Sequence, residues 1–191
     1  MIDFISNKTA LLIKTHLDDI TDDRVAIIAY GLNLIIYEAL VIALTFTLAL
    51  ILGVLKYVFI NFTVYGSLRI FAGGAHAKTR LECTSISLLV SFGTVYLSMH
   101  LWAESYYPSA IILLFDLLLI YLFAPGDTKE KPLLSKRIRC RQRLVSFSLT
   151  VIFVVIAVIV WHMNSVVDSK IIYNVILVST LLATFLLTPL G

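Results

Sequence analysis

From Val25 to Leu55 the only charged side chain is Glu38, and from Tyr57 to Leu68 there is none. Runs of that length and apolarity belong in a bilayer, where a spanning helix needs about 20 apolar residues. The stretch 25–68 therefore predicts two helices joined near Gly53, the second short and flanked by Lys56 and Arg69. One long tilted helix followed by a re-entrant segment is the competing arrangement. The pattern recurs downstream. Thr84 to Ala103 and Pro108 to Phe123 predict a third and a fourth span, and Leu144 to Met163 and Ile171 to Leu187 a fifth and a sixth. With 60% hydrophobic and 14% charged residues over 191 positions, the composition excludes an ordinary soluble domain. The expected fold is an all-α integral membrane protein of about six transmembrane helices, forming a single polytopic domain over 1–191.

Residues 1–17 alternate Ile2, Ile5, Leu12 and Ile13 with Asp3, Asn7, Lys14 and His16, too polar to span but suited to an N-terminal interfacial amphipathic helix. A frayed terminus is the bland alternative. Residues 1–24 are read as a cytoplasmic or interfacial segment closing on the solvated acids Asp18, Asp19, Asp22 and Asp23. Orientation follows from lysine and arginine: seven of the fifteen lie from Lys129 to Arg143, which places the basic loop 125–143 in the cytoplasm. Counting spans puts the segment 69–83, with Arg69, Lys78 and Arg80, and both termini on the same side. No basic n-region, apolar core and cleavage motif opens the chain, so no cleaved leader is expected. Two cysteines are too few for a disulfide framework and should stay reduced. No repeat, metal-ligand cluster, phosphate-binding glycine loop or nucleic-acid motif is visible, so no cofactor, metal or nucleic acid is expected.

Between the second and third apolar runs the chain reads RIFAGGAHAKTRLEC, from Arg69 to Cys83. A cysteine and a histidine seven apart suggest a thiolate with a general base, but spacing alone does not make a dyad. On one unbroken helix His76 and Cys83 would be about 10.5 Å apart along the axis, far beyond the roughly 3 Å that proton transfer needs. The sequence supplies a break. Gly73 and Gly74 permit positive φ, and Thr79 followed three residues later by Glu82 is a capping-box signature. A new helix should begin at Thr79 with Cys83 in its first turn, where the helix dipole, Lys78 and Arg80 favour a thiolate. His76 then falls in the connector, free to fold back over the helix start. Glu82 is read as the cap's partner and not as a third catalytic group.

The stretch resembles the accessory gene regulator B (AgrB) family of membrane peptidases that process quorum-sensing propeptides. Arg69, Gly73, Gly74, His76 and Cys83 carry the resemblance, with Ala124-Pro125 and Lys131-Pro132 further on, and it covers essentially the whole chain. It implies a cysteine endopeptidase, Cys83 as nucleophile and His76 as base, that removes the C-terminal tail of a small AgrD-like precursor and supports thiolactone or lactone ring closure. It also implies a role near the site for Arg69, for which the alternative is a snorkelling anchor. Lys129, Lys131 and Arg137 become candidate contacts to an acidic peptide tail, although topology and anionic membrane lipids explain the basic cluster equally well. A second copy of the chain is a candidate partner, and the bacterial cytoplasmic membrane the expected location.

Other polar residues have plainer readings. Cys140 lies among arginines but has no histidine nearby in sequence. Glu38 and Asp116 fall within spans, where each can bond a neighbouring helix. His100 and His162, beside Trp102 and Trp161, read as an interfacial belt. The competing function class is a small transporter or peptide exporter with Glu38 and Asp116 lining its path; only a peptidase would form a covalent adduct at Cys83 with a thiol-reactive peptide.

Overall fold

Every apolar run folds as a helix because, with no water to satisfy them, its backbone polar groups must pair within the segment. The computed structural model describes residues 2–16, 21–73, 79–101, 105–126, 135–163 and 167–188, and these contain seven helices and no strand. They are α1 Ile2–His16, α2 Asp22–Ile51, α3 Leu55–Ala72, α4 Arg80–His100, α5 Tyr107–Phe123, α6 Lys136–Met163 and α7 Val167–Phe185. The fold is that of an all-α membrane protein. Four helices, α2, α4, α6 and α7, are long and apolar enough to cross a membrane by length and composition. The expected count of six rests on α5, a shorter apolar helix of 17 residues, and on α3, whose 18 residues carry Lys56 and Arg69.

The two helices expected over 25–68 are present, and their junction is where the sequence marks it. Gly53 has φ 70, a left-handed value that costs glycine little and other residues more. The described residues form two compact units, Met1–Ile51 and Leu52–Gly191. In the first, α1 packs on α2, burying Ser6 and Ala10 beside Ala29 and Asn33. Asn33 Nδ2 donates to Asp3 Oδ1 at 2.6 Å and to Ser6 Oγ at 3.2 Å, which gives the polar residues of α1 a partner. Glu38 is exposed on α2.

The second unit is built around α7. It packs against α3, α4, α5 and α6, and Tyr173 to Thr180 are buried without interruption. Buried polar bonds tie three of those neighbours to it. Ser179 Oγ donates to Asn61 Oδ1 on α3 at 2.9 Å, Asn174 Nδ2 to the α4 carbonyls of Ser98 and Leu101 at 3.1 and 2.8 Å, and Thr184 Oγ1 to Asp116 Oδ1 on α5 at 2.6 Å. Such bonds are worth about 0.6 to 2 kcal/mol each within a bilayer, so they set register more than they supply stability. Asp116 thus bonds a neighbouring helix. At one end of the unit Lys56 and Tyr57 both donate to Asp168, joining the starts of α3 and α7. At the other, Ala72, Ile120, Ala124 and Leu187 form a small apolar cluster with Phe123 and Phe147. That cluster is the floor on which α3 ends.

Candidate active site

Helix α3 stops at Ala72 and α4 starts at Arg80, so the chain carrying the glycines and the histidine is not helical through from Leu68 to Ser91. Gly73 caps α3 with φ 78 and ψ −149, a backbone conformation open essentially to glycine alone. Its N–H donates to Arg69 O at 3.1 Å, and Arg69 Nη1 donates to Gly73 O at 3.2 Å, so the arginine closes over the end of its own helix. One turn earlier, Tyr65 lies under the Arg69 guanidinium, 6.0 Å from ring centroid to Cζ. That distance is at the outer edge of a cation–π contact.

The other side of the connector is an N-terminus of equally defined geometry. Thr79 is extended, Glu82 N–H donates to its hydroxyl at 3.2 Å, and Thr79 N–H donates to Glu82 Oε2 at 3.2 Å, which completes the capping box. Cys83 N–H donates to Thr79 O at 3.0 Å, so its thiol stands in the first turn of α4, half-buried. Helices α3 and α4 are neighbours, and the Tyr65 phenol feels both Arg69 and Cys83 electrostatically. Tyr65 was not singled out from sequence; its one signal is the four-residue spacing to Arg69, which puts both on one helix face. His76, Gly74 and Lys78 lie outside the described residues, as do Lys129 and Lys131.

The connector is tied to the basic segment. Gly126 N–H donates to Ala72 O at 2.7 Å, and a Cβ added at Gly73 would lie 2.7 Å from Gly126 O. The two backbones touch because position 73 lacks a side chain. The Ala124-Pro125 bond in this joint is cis. Arg143 Nε donates to Ala124 O at 2.8 Å from α6. The basic segment is also less of a loop than its charge suggests. From Lys136 onward it is the start of α6, since KRIRCRQR contains no glycine or proline and arginine and lysine are good helix formers. Arg137 is therefore an exposed helical residue, and Cys140 stands near a helix start as Cys83 does. The helix dipole does not separate the two thiols. What separates them is setting: Cys140 is exposed on α6, whereas Cys83 is half-buried in the capped first turn of α4, a helix that packs against α3.

Both histidines expected in the belt approach carbonyls of their own helices, and the His162 ring also lies against Tyr106, centroids 5.2 Å apart. His100 Nδ1 lies 2.8 Å from Tyr96 O with the two rings 4.2 Å apart, and His162 Nδ1 lies 2.8 Å from Val158 O. Among the described residues no group of three or more His, Cys, Asp or Glu could hold a metal ion.

The sequence profile of accessory gene regulator B matches residues 6–187. The chain belongs to the accessory gene regulator B family. It is 34% identical over 109 residues to a putative AgrB-like protein of Clostridium acetobutylicum, covering 57% of this chain and 52% of that one. It is 26% identical to putative AgrB-like protein 2 of Clostridium perfringens, over 86% of this chain and 80% of that one. It is also 26% identical to accessory gene regulator protein B of Staphylococcus aureus, over 68% of each. The first of these alignments thus spans about half the length of its relative, the other two more. No solved structure matches the chain.

The cap offers a test within this family frame. Thr79→Ala removes the acceptor that holds the Glu82 amide and should cost about 1 kcal/mol at the start of α4. Alkylation of Cys83 should then change severalfold while Cys140 reacts as before. Equal rates at Cys83 in both proteins would show that the cap does not position the thiol.

Proposed function

We infer that this protein is a membrane cysteine endopeptidase acting in the maturation of a quorum-sensing peptide, with Cys83 as nucleophile and His76 as its general base. Membership of the accessory gene regulator B family supports involvement in autoinducer maturation. The observation that carries the chemistry is the half-buried Cys83 thiol in the capped first turn of α4, at the end of the connector that holds His76.

The substrate is an AgrD-like propeptide lying at the membrane surface. Cys83 Sγ attacks the carbonyl preceding the C-terminal tail while His76 takes the thiol proton and then delivers it to the departing amine. The tail leaves with a free amino terminus, and the remaining peptide is held as a thioester on Cys83. An internal cysteine or serine of the peptide then attacks that thioester, closing a thiolactone or lactone and returning the proton and the free thiol to the enzyme. Exchange between thioesters is nearly isoenergetic, so ring closure needs no nucleotide if water is excluded. Backbone N–H groups at the start of α4 are suited to stabilise the oxyanion. Six spans, with the connector, the basic segment and both termini on the cytoplasmic side of a bacterial membrane, complete the proposal. A second copy of the chain and membrane lipids are its further partners.

Lys129, Lys131 and Arg137 act in this reading as cations that draw in an acidic tail. Purified protein in vesicles, given a synthetic precursor, should release the tail and a ring lighter than the hydrolysed peptide by one water. Neutralising Lys129 and Lys131 together should slow release, and added salt should slow the native protein likewise, because exposed charges are screened within about 10 Å at 0.1 M. Transport of intact peptide without any cleavage would favour an exporter instead.

A further inference from the structure

Among the cations clustered from Lys136 to Arg143, Arg143 is held at a joint between helices. Lys136, Arg137 and Arg141 are exposed, whereas Arg143 is partly buried. Its Nε donates to Ala124 O at 2.8 Å, and its Cζ stands 5.8 Å from the centroid of the Tyr121 ring. The carbonyl on one edge and the nearby aromatic ring restrain the guanidinium. Its terminal nitrogens make no other contact among the described residues. Residues 135–143 contain no Asp or Glu, and the ion pairs of Lys14 with Asp22 and of Lys56 with Asp168 lie on other helices. The opposite edge of Arg143, a planar pair of N–H forks, matches an oxyanion bidentately.

The place matters as much as the chemistry. Ala124 is buried in the cluster that floors the end of α3, and two residues on, Gly126 N–H holds Ala72 O. Arg143 is therefore anchored to the same joint from which the connector of Gly73 departs. We propose that Arg143 reads a carboxylate of the peptide substrate, docking the segment beyond the scissile bond against the joint. The exposed cations of α6 attract the peptide at long range; Arg143 fixes its register. Because the guanidinium is already ordered by Ala124 and Tyr121, little of its freedom is lost on binding. A half-buried anchor on a joint suits a peptide group threaded beside the connector, while the exposed residues suit a lipid surface.

This inference rests on the peptidase reading, and the test separates the two. Full-length protein in vesicles of zwitterionic lipid is given precursors with an acidic tail, with the same tail bearing Asn and Gln in place of its acids, and with an amidated C-terminus. Arg143→Gln should raise KM for the acidic precursor about 10- to 100-fold with little change in kcat, the size expected for a hydrogen-bonded charge. Arg143→Lys, which keeps the charge and a long stem, should recover part of that loss. With the neutral tail, native and variant proteins should show the same KM, and the amidated peptide tells a terminal carboxylate from a side-chain one. An equal loss on acidic and neutral tails would overturn the proposal in favour of a purely structural hold on Ala124. A loss seen only when anionic lipid is added would overturn it in favour of a lipid headgroup. Native protein that cleaves no precursor would instead sink the peptidase reading itself.

Discussion

Cys83→Ala is expected to abolish tail release and covalent adduct together, whereas Cys140→Ala leaves both largely intact. Loss of a nucleophile removes the acyl-enzyme route altogether, an effect of about 10⁴-fold or more on rate. His76→Ala should lower the rate about 10²- to 10⁴-fold while precursor still binds, because a general base acts in the transition state and not in docking. The prediction has force because the two thiols share more than their sequence suggests. Both stand near helix starts among basic residues. Only Cys83 is half-buried, in a capped first turn next to the connector and on a helix that packs against α3. Equal sensitivity of cleavage to both substitutions would show that general electrostatics, and not this setting, governs the chemistry.

The second large effect is expected at Gly73. An alanine there must adopt φ 78, ψ −149, and its Cβ would sit 2.7 Å from Gly126 O and 3.2 Å from Gly126 N. A strained backbone of this kind costs on the order of 1–3 kcal/mol. The clash adds to it, since the neighbour is backbone and cannot rotate away. Something at the joint has to move, and the connector's departure moves with it. A displacement of about 1 Å in a catalytic arrangement costs about 10²-fold in rate. Gly73→Ala should therefore lower the cleavage rate about a hundredfold with a smaller fall in Tm. Gly66→Ala, on the same helix with nothing within 4 Å of its added Cβ, should be close to neutral in both. A Gly73→Ala protein that cleaves at the native rate would show that the contact with Gly126 does not set the connector.

The legible parts of this molecule are those written in local physics. The apolar runs give the helices, Gly53 marks the α2–α3 junction, and Thr79 with Glu82 announces the start of α4, because capping and positive φ depend on residues a few positions apart. The polar start of α1 and the short second helix are likewise local patterns. Local charge pattern misled where it suggested a loop: from Lys136 the basic segment is helix, its arginines compatible with helical backbone despite their charge. What sequence could not supply is long-range. Gly73 meets Gly126 across 53 positions, Arg143 reaches Ala124, and Thr184 finds Asp116, each fixed by packing between elements distant in sequence. Tyr65 stayed hidden for the same reason, since a tyrosine in an apolar helix declares nothing until the packing of α3 against α4 brings it within electrostatic range of Cys83.

The central claim is that the Cys83 sulfur carries the peptide between cleavage and ring closure. Acid-quenching the native protein at short times after adding precursor, then mapping adducts by mass spectrometry with and without hydroxylamine, reads that sulfur directly. The account predicts a hydroxylamine-labile adduct on the peptide containing Cys83, with the mass of the precursor lacking its tail, appearing before the ring and decaying as the ring accumulates. An adduct confined to Cys140, or tail release with no thioester on Cys83 at any time, would contradict it.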